Sequence, residues 1–112
     1  MNQITFQDFE KVAMYVGTII SINEFDKAVK PAFQMQIDFG PLGIKNSSAQ
    51  ITKRYLKENL EGKQVLAVLN LPSKQIANFM SECLVLGIYA NGAEDVVLIQ
   101  PEQKVENGTR VG

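Results

Sequence analysis

Residues 32–39 read AFQMQIDF, and this stretch alternates apolar and polar side chains without a break. Because successive side chains of a β-strand point to opposite faces, the alternation predicts a strand with one face in a core and the other in water. The polar face carries Gln34 and Gln36. This strand is the strongest local signal in the chain, and the neighbouring segments are interpreted around it.

The segments around it predict a small barrel. Further strands are predicted from β-branched and apolar runs at residues 14–25, 44–51, 64–71, 81–89 and 96–100. Helices are predicted at residues 5–12, where Thr5 and Asp8 have capping-box spacing, and at residues 52–60. Three strands, a helix and two more strands is the order of the OB-fold, a five-stranded Greek-key barrel. We expect an all-β fold with small α content, forming one domain over residues 1–112 with a helical N-terminal extension at residues 1–13.

Turn residues refine this expectation. Gly17 interrupts the first strand, as glycine often does where a barrel strand bends sharply. Gly62 is placed to end the second helix. Residues 72–78 are predicted to form a loop, and Asn107-Gly108 predicts a turn that returns the tail for a short terminal pairing.

The charge is unevenly distributed along the chain, although the formal net charge is only −1. Residues 27–78 hold eight basic and three acidic residues, a net +5, whereas residues 1–26 and residues 79–112 each have a net charge of −3. A basic middle between acidic ends is what a confined anion-binding face requires. Chance clustering on a solvated surface is the alternative interpretation.

The residue types argue against catalysis. The chain has no histidine and no tryptophan, and its one cysteine, Cys83, lies in an apolar run where a core thiol is favoured over a reactive nucleophile. These features indicate a protein that is not an enzyme and needs no cofactor and no metal. A chain with one cysteine, no signal peptide and no apolar run long enough for membrane insertion is expected in the cytoplasm.

A binding surface is the remaining candidate. The wet side of the second strand and the polar third strand supply amide and hydroxyl groups that can contact bases, ribose and phosphate. These residues are Gln34, Gln36, Asn46, Ser47, Ser48 and Gln50. In an OB barrel the basic residues of the adjoining loops would ring this face, and they are Lys27, Lys30, Lys53, Arg54 and Lys74. An ordinary solvated sheet face is the alternative interpretation.

Several stretches resemble the tRNA-binding-domain family, and within it the CsaA branch of export-related chaperones. They are residues 46–55 (NSSAQITKRY), 62–65 (GKQV), 70–79 (NLPSKQIANF) and 81–87 (SECLVLG). Shorter matching segments at residues 8–11, 16–19, 37–40 and 95–112 extend the likeness to nearly the whole chain. The same domain occurs at the C-terminus of many bacterial methionyl-tRNA synthetases.

The resemblance implies an OB-fold, a two-fold homodimer and binding of the bent part of tRNA by shape. It adds Ser81, which matches a family serine in the fifth strand, to the expected RNA-binding residues. It also implies a chaperone role with unfolded preproteins or the export machinery as partners. A chaperone that holds apolar peptide, with RNA binding incidental, is the alternative function.

The apolar side chains Phe6, Phe9, Phe79 and Met80 are candidates for a dimer or peptide-binding surface. Ordinary core packing is the competing interpretation for each of them.

Overall fold

The structure, a computed structural model, describes residues 1–24 and 31–112. These two ranges contain one short α-helix, α1, and nine strands. Their bounds are α1 Phe6–Glu10, β1 Met14–Glu24, β2 Phe33–Asp38, β3 Ile44–Ala49, β4 Gln64–Val68, β5 Lys74–Ile76, β6 Phe79–Ser81, β7 Leu84–Val85, β8 Gly87–Tyr89 and β9 Val96–Leu98. Two 3-10 helices lie at Gly40–Leu42 and Lys57–Asn59. Within the described ranges, no helix has the length and hydropathy to cross a membrane.

Five strands form an antiparallel sheet in the order β3-β2-β1-β4-β7. The sheet curls until its two edges meet: the Glu82 amide donates to the Asn46 carbonyl at 2.8 Å, and the Ser47 hydroxyl donates to the Cys83 carbonyl at 3.0 Å. The result is a nearly closed barrel of the OB type, which confirms the predicted fold class.

The core of the barrel follows the alternation of residues 32–39. Phe33, Met35, Ile37 and Phe39 are all buried, while Gln36 between them is exposed. The strand predicted from residues 32–39 is therefore confirmed.

Strand β1 is long enough to pair with two neighbours. Its first part pairs with β4 from Met14 to Thr18, and its second part pairs with β2 from Thr18 to Glu24. A shift in register between Ile19 and Ser21 marks the bulge where the strand changes direction.

Gly17 lies two residues before the bulge, at a point where the barrel leaves no room for a side chain. A Cβ atom at position 17 would lie 2.6 Å from the Phe39 ring and 2.7 Å from a methyl group of Ile37. The structure thus gives a packing reason for this glycine, the close approach of β1 to the Phe39 ring, while the predicted bend at Gly17 itself stays a prediction.

The N-terminal helix has the predicted cap. The Asp8 amide donates to the Thr5 hydroxyl at 3.0 Å, and the Asp8 carboxylate accepts from the Thr5 amide at 3.2 Å. The helix ends at Glu10, and none of its residues is buried. The tail also behaves as predicted, since the Gly108 amide donates to the Val16 carbonyl at 2.7 Å and Arg110 pairs with Tyr15.

The predicted helix at residues 52–60 is wrong in type and length. Only the 3-10 helix Lys57–Asn59 forms, although Gly62 keeps its left-handed conformation with φ 89°. So short a helix is marginal on its own. The barrel instead uses Tyr55 as an anchor, because its hydroxyl accepts a hydrogen bond from the Leu98 amide at 3.0 Å.

The predicted strand at residues 81–89 is broken into three, and the predicted loop at residues 72–78 is a hairpin. Strand β5 pairs with β6, β7 pairs with β4, and β8 pairs with β9. A continuous apolar run does not reveal such breaks, because its hydropathy is the same whichever neighbour each part meets. Ile88 and Tyr89 are 54% and 72% exposed, so the end of the run is not buried.

We expect Gly17→Ala to destabilise the barrel by about 1–3 kcal/mol, because an added methyl group overpacks the contact with Phe39. Urea unfolding followed by circular dichroism measures the change. Gly112→Ala is the matched control, since no heavy atom lies within 4 Å of the corresponding Cβ position. Equal unfolding midpoints for the two variants would contradict the close packing at Gly17.

Candidate nucleic-acid interface

The outer face of β1, β2 and β3 carries two rows of uncharged polar side chains. In one row Asn23 is opposite Gln34, and Gln34 is opposite Ser48. In the next row Ser21 is opposite Gln36, and Gln36 is opposite Asn46. We call these six residues the polar patch.

Side chains of the polar patch retain hydrogen-bonding capacity. The Ser21 hydroxyl donates to Oε1 of Gln36 at 3.2 Å. The side chains of Asn23, Gln34 and Asn46 make no hydrogen bond to any other described residue. Amides that carry both a donor and an acceptor are therefore presented to solvent on a rigid sheet.

A groove of about 320 Å³ lies between the end of β3 and the β5–β6 hairpin. Four of the predicted RNA-binding residues line it: Ser48, Gln50, Lys74 and Ser81. The rest of the lining is largely apolar and consists of Ala32, Leu71, Pro72, Ile76, Glu82, Cys83 and Leu84. We call this the Lys74 groove.

A second, smaller pocket of about 250 Å³ adjoins it and is lined by Pro31, Gln50, Thr52, Lys53 and Glu94. Gln50 lines both spaces, so Lys53 and Lys74 flank it from two sides. Both lysines are exposed. The structure thus brings two of the predicted cations to one end of the polar patch. Lys27 and Lys30 lie outside the described residues.

The opposite end of the patch carries a carboxylate. The row beyond Ser21 and Gln36 places Asp38 opposite Ile44. The Asp38 carboxylate accepts one hydrogen bond, from the Gly40 amide at 2.8 Å. The face therefore carries Lys53 and Lys74 at one end, together with Glu82 and Glu94 of the same pockets, then neutral amides and hydroxyls, and a carboxylate at the other end.

Ser47 was predicted on this face, and the structure places it inside the barrel. It is 1% exposed and donates its hydroxyl to the Cys83 carbonyl. The reason is the two-residue period of a strand: Asn46 and Ser48 point outward, so the residue between them points inward. Ser47 satisfies a buried carbonyl and cannot reach a ligand on the outer face.

Among the described residues, Arg54 forms an ion pair within the chain, unlike Lys53 and Lys74. Its Nε and Nη2 atoms donate to the two carboxylate oxygens of Asp95 at 2.8 and 2.9 Å. This hydrogen bonding lowers the pKa of Asp95, so the carboxylate stays ionised and compensates the guanidinium charge. Arg54 is therefore paired with Asp95, unlike Lys53 and Lys74, and its place among the RNA-binding residues stays a prediction.

Cys83 is a core thiol, as predicted. Burial raises its pKa to about 11, so it is a neutral thiol at physiological pH. Among the described residues no cluster of three or more side chains is arranged to hold a metal ion.

The predicted apolar residues lie on two different elements. Phe6 and Phe9 are on α1 with ring centroids 6.2 Å apart, and Phe6 is 72% exposed. Phe79 and Met80 are on β6, where Phe79 is half-buried and Met80 is 44% exposed. Their role as a dimer or peptide-binding surface stays a prediction.

Two residues of the polar patch, Ser21 and Asn23, were missed from the sequence. They lie on either side of the buried Ile22, and this short polar–apolar–polar alternation was the sequence signal for their place on the outer face. The bulge before Ser21 and the apolar pair Ile19-Ile20 hid it, because they break the two-residue period. The apolar wall of the Lys74 groove was missed as well. Its residues come from three separate segments of the chain, at positions 32, 71–76 and 83–84, and only the fold brings these together.

Comparison with known proteins identifies the family. The family described as "Putative tRNA binding domain" matches residues 14–110. The chain belongs to the tRNA-binding-domain family.

Solved structures place it in the CsaA branch of that family. The chain is 48% identical to the chaperone CsaA of Bacillus anthracis str. Ames, with a TM-score of 0.93 and coverage of 99% of this chain and 100% of that one. It is 45% identical to the CsaA chaperone protein of Picrophilus torridus, with a TM-score of 0.91 and coverage of 98% and 100%.

Curated relatives include larger proteins. The methionine–tRNA ligase of Methanococcoides burtonii is 32% identical over 106 residues, which is 95% of this chain and 15% of the ligase. The corresponding ligase of Porphyromonas gingivalis is 35% identical over 98% of this chain and 16% of its own length. The chain thus spans about one-sixth of these ligases. The family is a binding domain rather than a catalytic one, which confirms that the chain is not an enzyme.

Proposed function

We propose that this chain binds tRNA across the polar patch, with Lys53 and Lys74 contacting phosphates at one end. The observation that carries the proposal is that these two lysines flank Gln50 at the edge of six neutral hydrogen-bonding side chains. Membership of the tRNA-binding-domain family supports tRNA as the ligand.

The distribution of charge suits this task. On a chain with a formal net charge of −1, generic attraction to nucleic acid is weak, so an RNA is held where cations are concentrated. Phosphate contacts fix orientation, while neutral amides and hydroxyls contact sugars and bases. With phosphate contacts at the lysines and sugar or base contacts at the polar patch, the protein can recognise an RNA by its shape. Only an RNA that reaches both places at once makes both kinds of contact.

Replacing both Lys53 and Lys74 with glutamine is expected to weaken tRNA binding and to lower the salt dependence. Each phosphate contact that is lost reduces the slope of log K against log salt by about 1, so the double variant should lose about 2. Fluorescence anisotropy with labelled tRNA, over roughly 50 to 200 mM salt, measures both quantities.

Lys104→Gln is the matched control, since this lysine lines a separate surface pocket with Gln64 and Asn107. If wild-type chain fails to bind tRNA at the lowest salt, or if Lys104→Gln weakens binding as much as the double variant, the proposed interface is wrong.

We also propose that the chain forms a homodimer through α1. Phe6 and Ile4 are 72% and 69% exposed, and no residue of α1 is buried. The apolar side chains of this segment therefore remove little surface from water in the isolated protomer. Arg110 holds the helix in place: its Nη2 atom donates to the Glu10 carbonyl at 2.8 Å, and its guanidinium lies 5.6 Å from the centre of the Tyr15 ring. A fixed, exposed apolar helix is suited to meet a second copy of itself.

Sedimentation equilibrium tests the dimer. The wild-type chain is expected to show twice its 12.4 kDa mass, and Ile4→Ser with Phe6→Ser should shift it to the monomer, because the apolar contact is lost. Gln7→Ala on the same helix is the control. A wild-type monomer at micromolar concentrations would refute this assembly.

A second candidate function is a chaperone that holds apolar polypeptide, such as preproteins destined for export, in the cytoplasm. It is favoured by the apolar wall of the Lys74 groove, where Leu71 and Leu84 are 49% and 50% exposed. The two CsaA structures are named as chaperones, which supports the same role.

Light scattering of a heat-aggregating client protein tests the chaperone role. We expect suppression near one dimer per client and a loss of suppression in the variant Leu71→Ser with Leu84→Ser, since the apolar wall becomes polar. Lys104→Gln should act like wild type. Unchanged aggregation in the presence of excess wild-type chain would remove the chaperone proposal and leave tRNA binding standing.

A further inference from the structure

The polar patch combines three properties that bear on which part of a nucleic acid it contacts. Its six side chains are neutral, they lie on three hydrogen-bonded strands, and several have unused donors and acceptors among the described residues. Strand spacing of about 4.8 Å and a two-residue repeat of about 7 Å make the patch roughly 10 Å across. That is a suitable size for a ribose together with part of a neighbouring nucleotide.

The charges at the two ends of the patch direct phosphates away from its middle. At the Gln50 end the exposed Lys53 and Lys74 are the groups that can contact phosphate, beside Glu82 and Glu94 of the same two pockets. Asp38 at the other end repels phosphate. A strand of nucleic acid that binds through these lysines keeps its phosphates near them. The neutral rows are left to contact uncharged groups, which are the sugar and the base.

Aromatic side chains bear on the choice between the sugar and the base. Within the described residues, no aromatic side chain belongs to the polar patch or lines the Lys74 groove. Phe33, the nearest aromatic residue in β2, is 4% exposed and points into the core. Proteins that hold unpaired bases generally provide aromatic platforms, so the described side chains of the patch suit a ribose better than a splayed base.

We infer that the polar patch distinguishes RNA from DNA by hydrogen bonds to ribose 2′-hydroxyl groups, with Ser21 and Asn23 of β1 as contact residues. A 2′-hydroxyl is both a donor and an acceptor, and so are the amide and hydroxyl side chains of the patch. The phosphate contacts of the lysines are the same for both nucleic acids and give no such discrimination. This inference rests on the proposed binding of tRNA.

The test compares three forms of one hairpin of identical sequence: RNA, DNA and 2′-fluoro RNA. The fluoro form keeps the A-form helix but lacks the hydroxyl donor, so it separates a hydroxyl contact from recognition of helix shape. Wild-type chain is expected to bind RNA at least about tenfold more tightly than either of the other two, since two or more hydrogen bonds are lost.

The triple variant Ser21→Ala, Asn23→Ala, Gln36→Ala should bind all three hairpins within about threefold of one another, with the loss confined to RNA. Lys74→Gln should weaken all three equally. Gln103→Ala, which removes an exposed amide from the tail, is the control. Circular dichroism checks that each variant retains the barrel.

The outcomes separate this inference from the proposed function. Equal binding of RNA and 2′-fluoro RNA by the wild type, or an equal loss for all three hairpins in the triple variant, overturns the hydroxyl contact while tRNA binding stands. Failure of the wild type to bind any of the hairpins, together with failure to bind tRNA, overturns the proposed function itself.

Discussion

The double pairing of β1 is the constraint on which the rest of the structure depends. The strand pairs with β4 along its first part and with β2 along its second, and it has to bend for a sheet built on it to close into a barrel. The bulge before Ser21 and the missing side chain at Gly17 allow the change of direction. The same bend brings β1 against Phe39 and places the polar side chains that follow the bulge on the outer face.

The binding surface follows from that geometry. Once β1, β2 and β3 are in register, neutral side chains from all three strands form two rows whose order is fixed by backbone hydrogen bonds. Closure of the barrel then brings the β5–β6 hairpin, with Lys74, to the end of β3. The cations therefore lie at one end of the face because of the barrel's closure, not because of their spacing in the chain.

The sequence predicted the parts of this structure that depend on local pattern. The alternation of residues 32–39, the cap formed by Thr5 and Asp8, and the turn at Gly108 each have a local physical cause and all three are present. The tertiary context decided the rest. The helix at residues 52–60 gave way to the anchoring of Tyr55.

Prediction of the site had the same limit. Residue type identified Gln34, Gln36 and Lys74 as candidates, and the structure groups Lys74 with Ser48 and Gln50. Residue type could not reveal that Ser47 faces inward or that the charge of Arg54 is compensated, because both depend on distant partners, Cys83 and Asp95. Polar and charged residues are thus easily found from a sequence, whereas their availability to a ligand depends on the folded chain.

The pairing of residues 108–111 with β1 affects how the chain folds. Val16 exchanges hydrogen bonds with Gly108 and Thr109, and Arg110 reaches back to the carbonyls of Glu10 and Val12. These contacts join segments that are far apart in sequence, so their formation carries a large loop-closure entropy and comes late in folding. During synthesis on the ribosome, helix α1 emerges before residue 110 and lacks these contacts until that residue has been added.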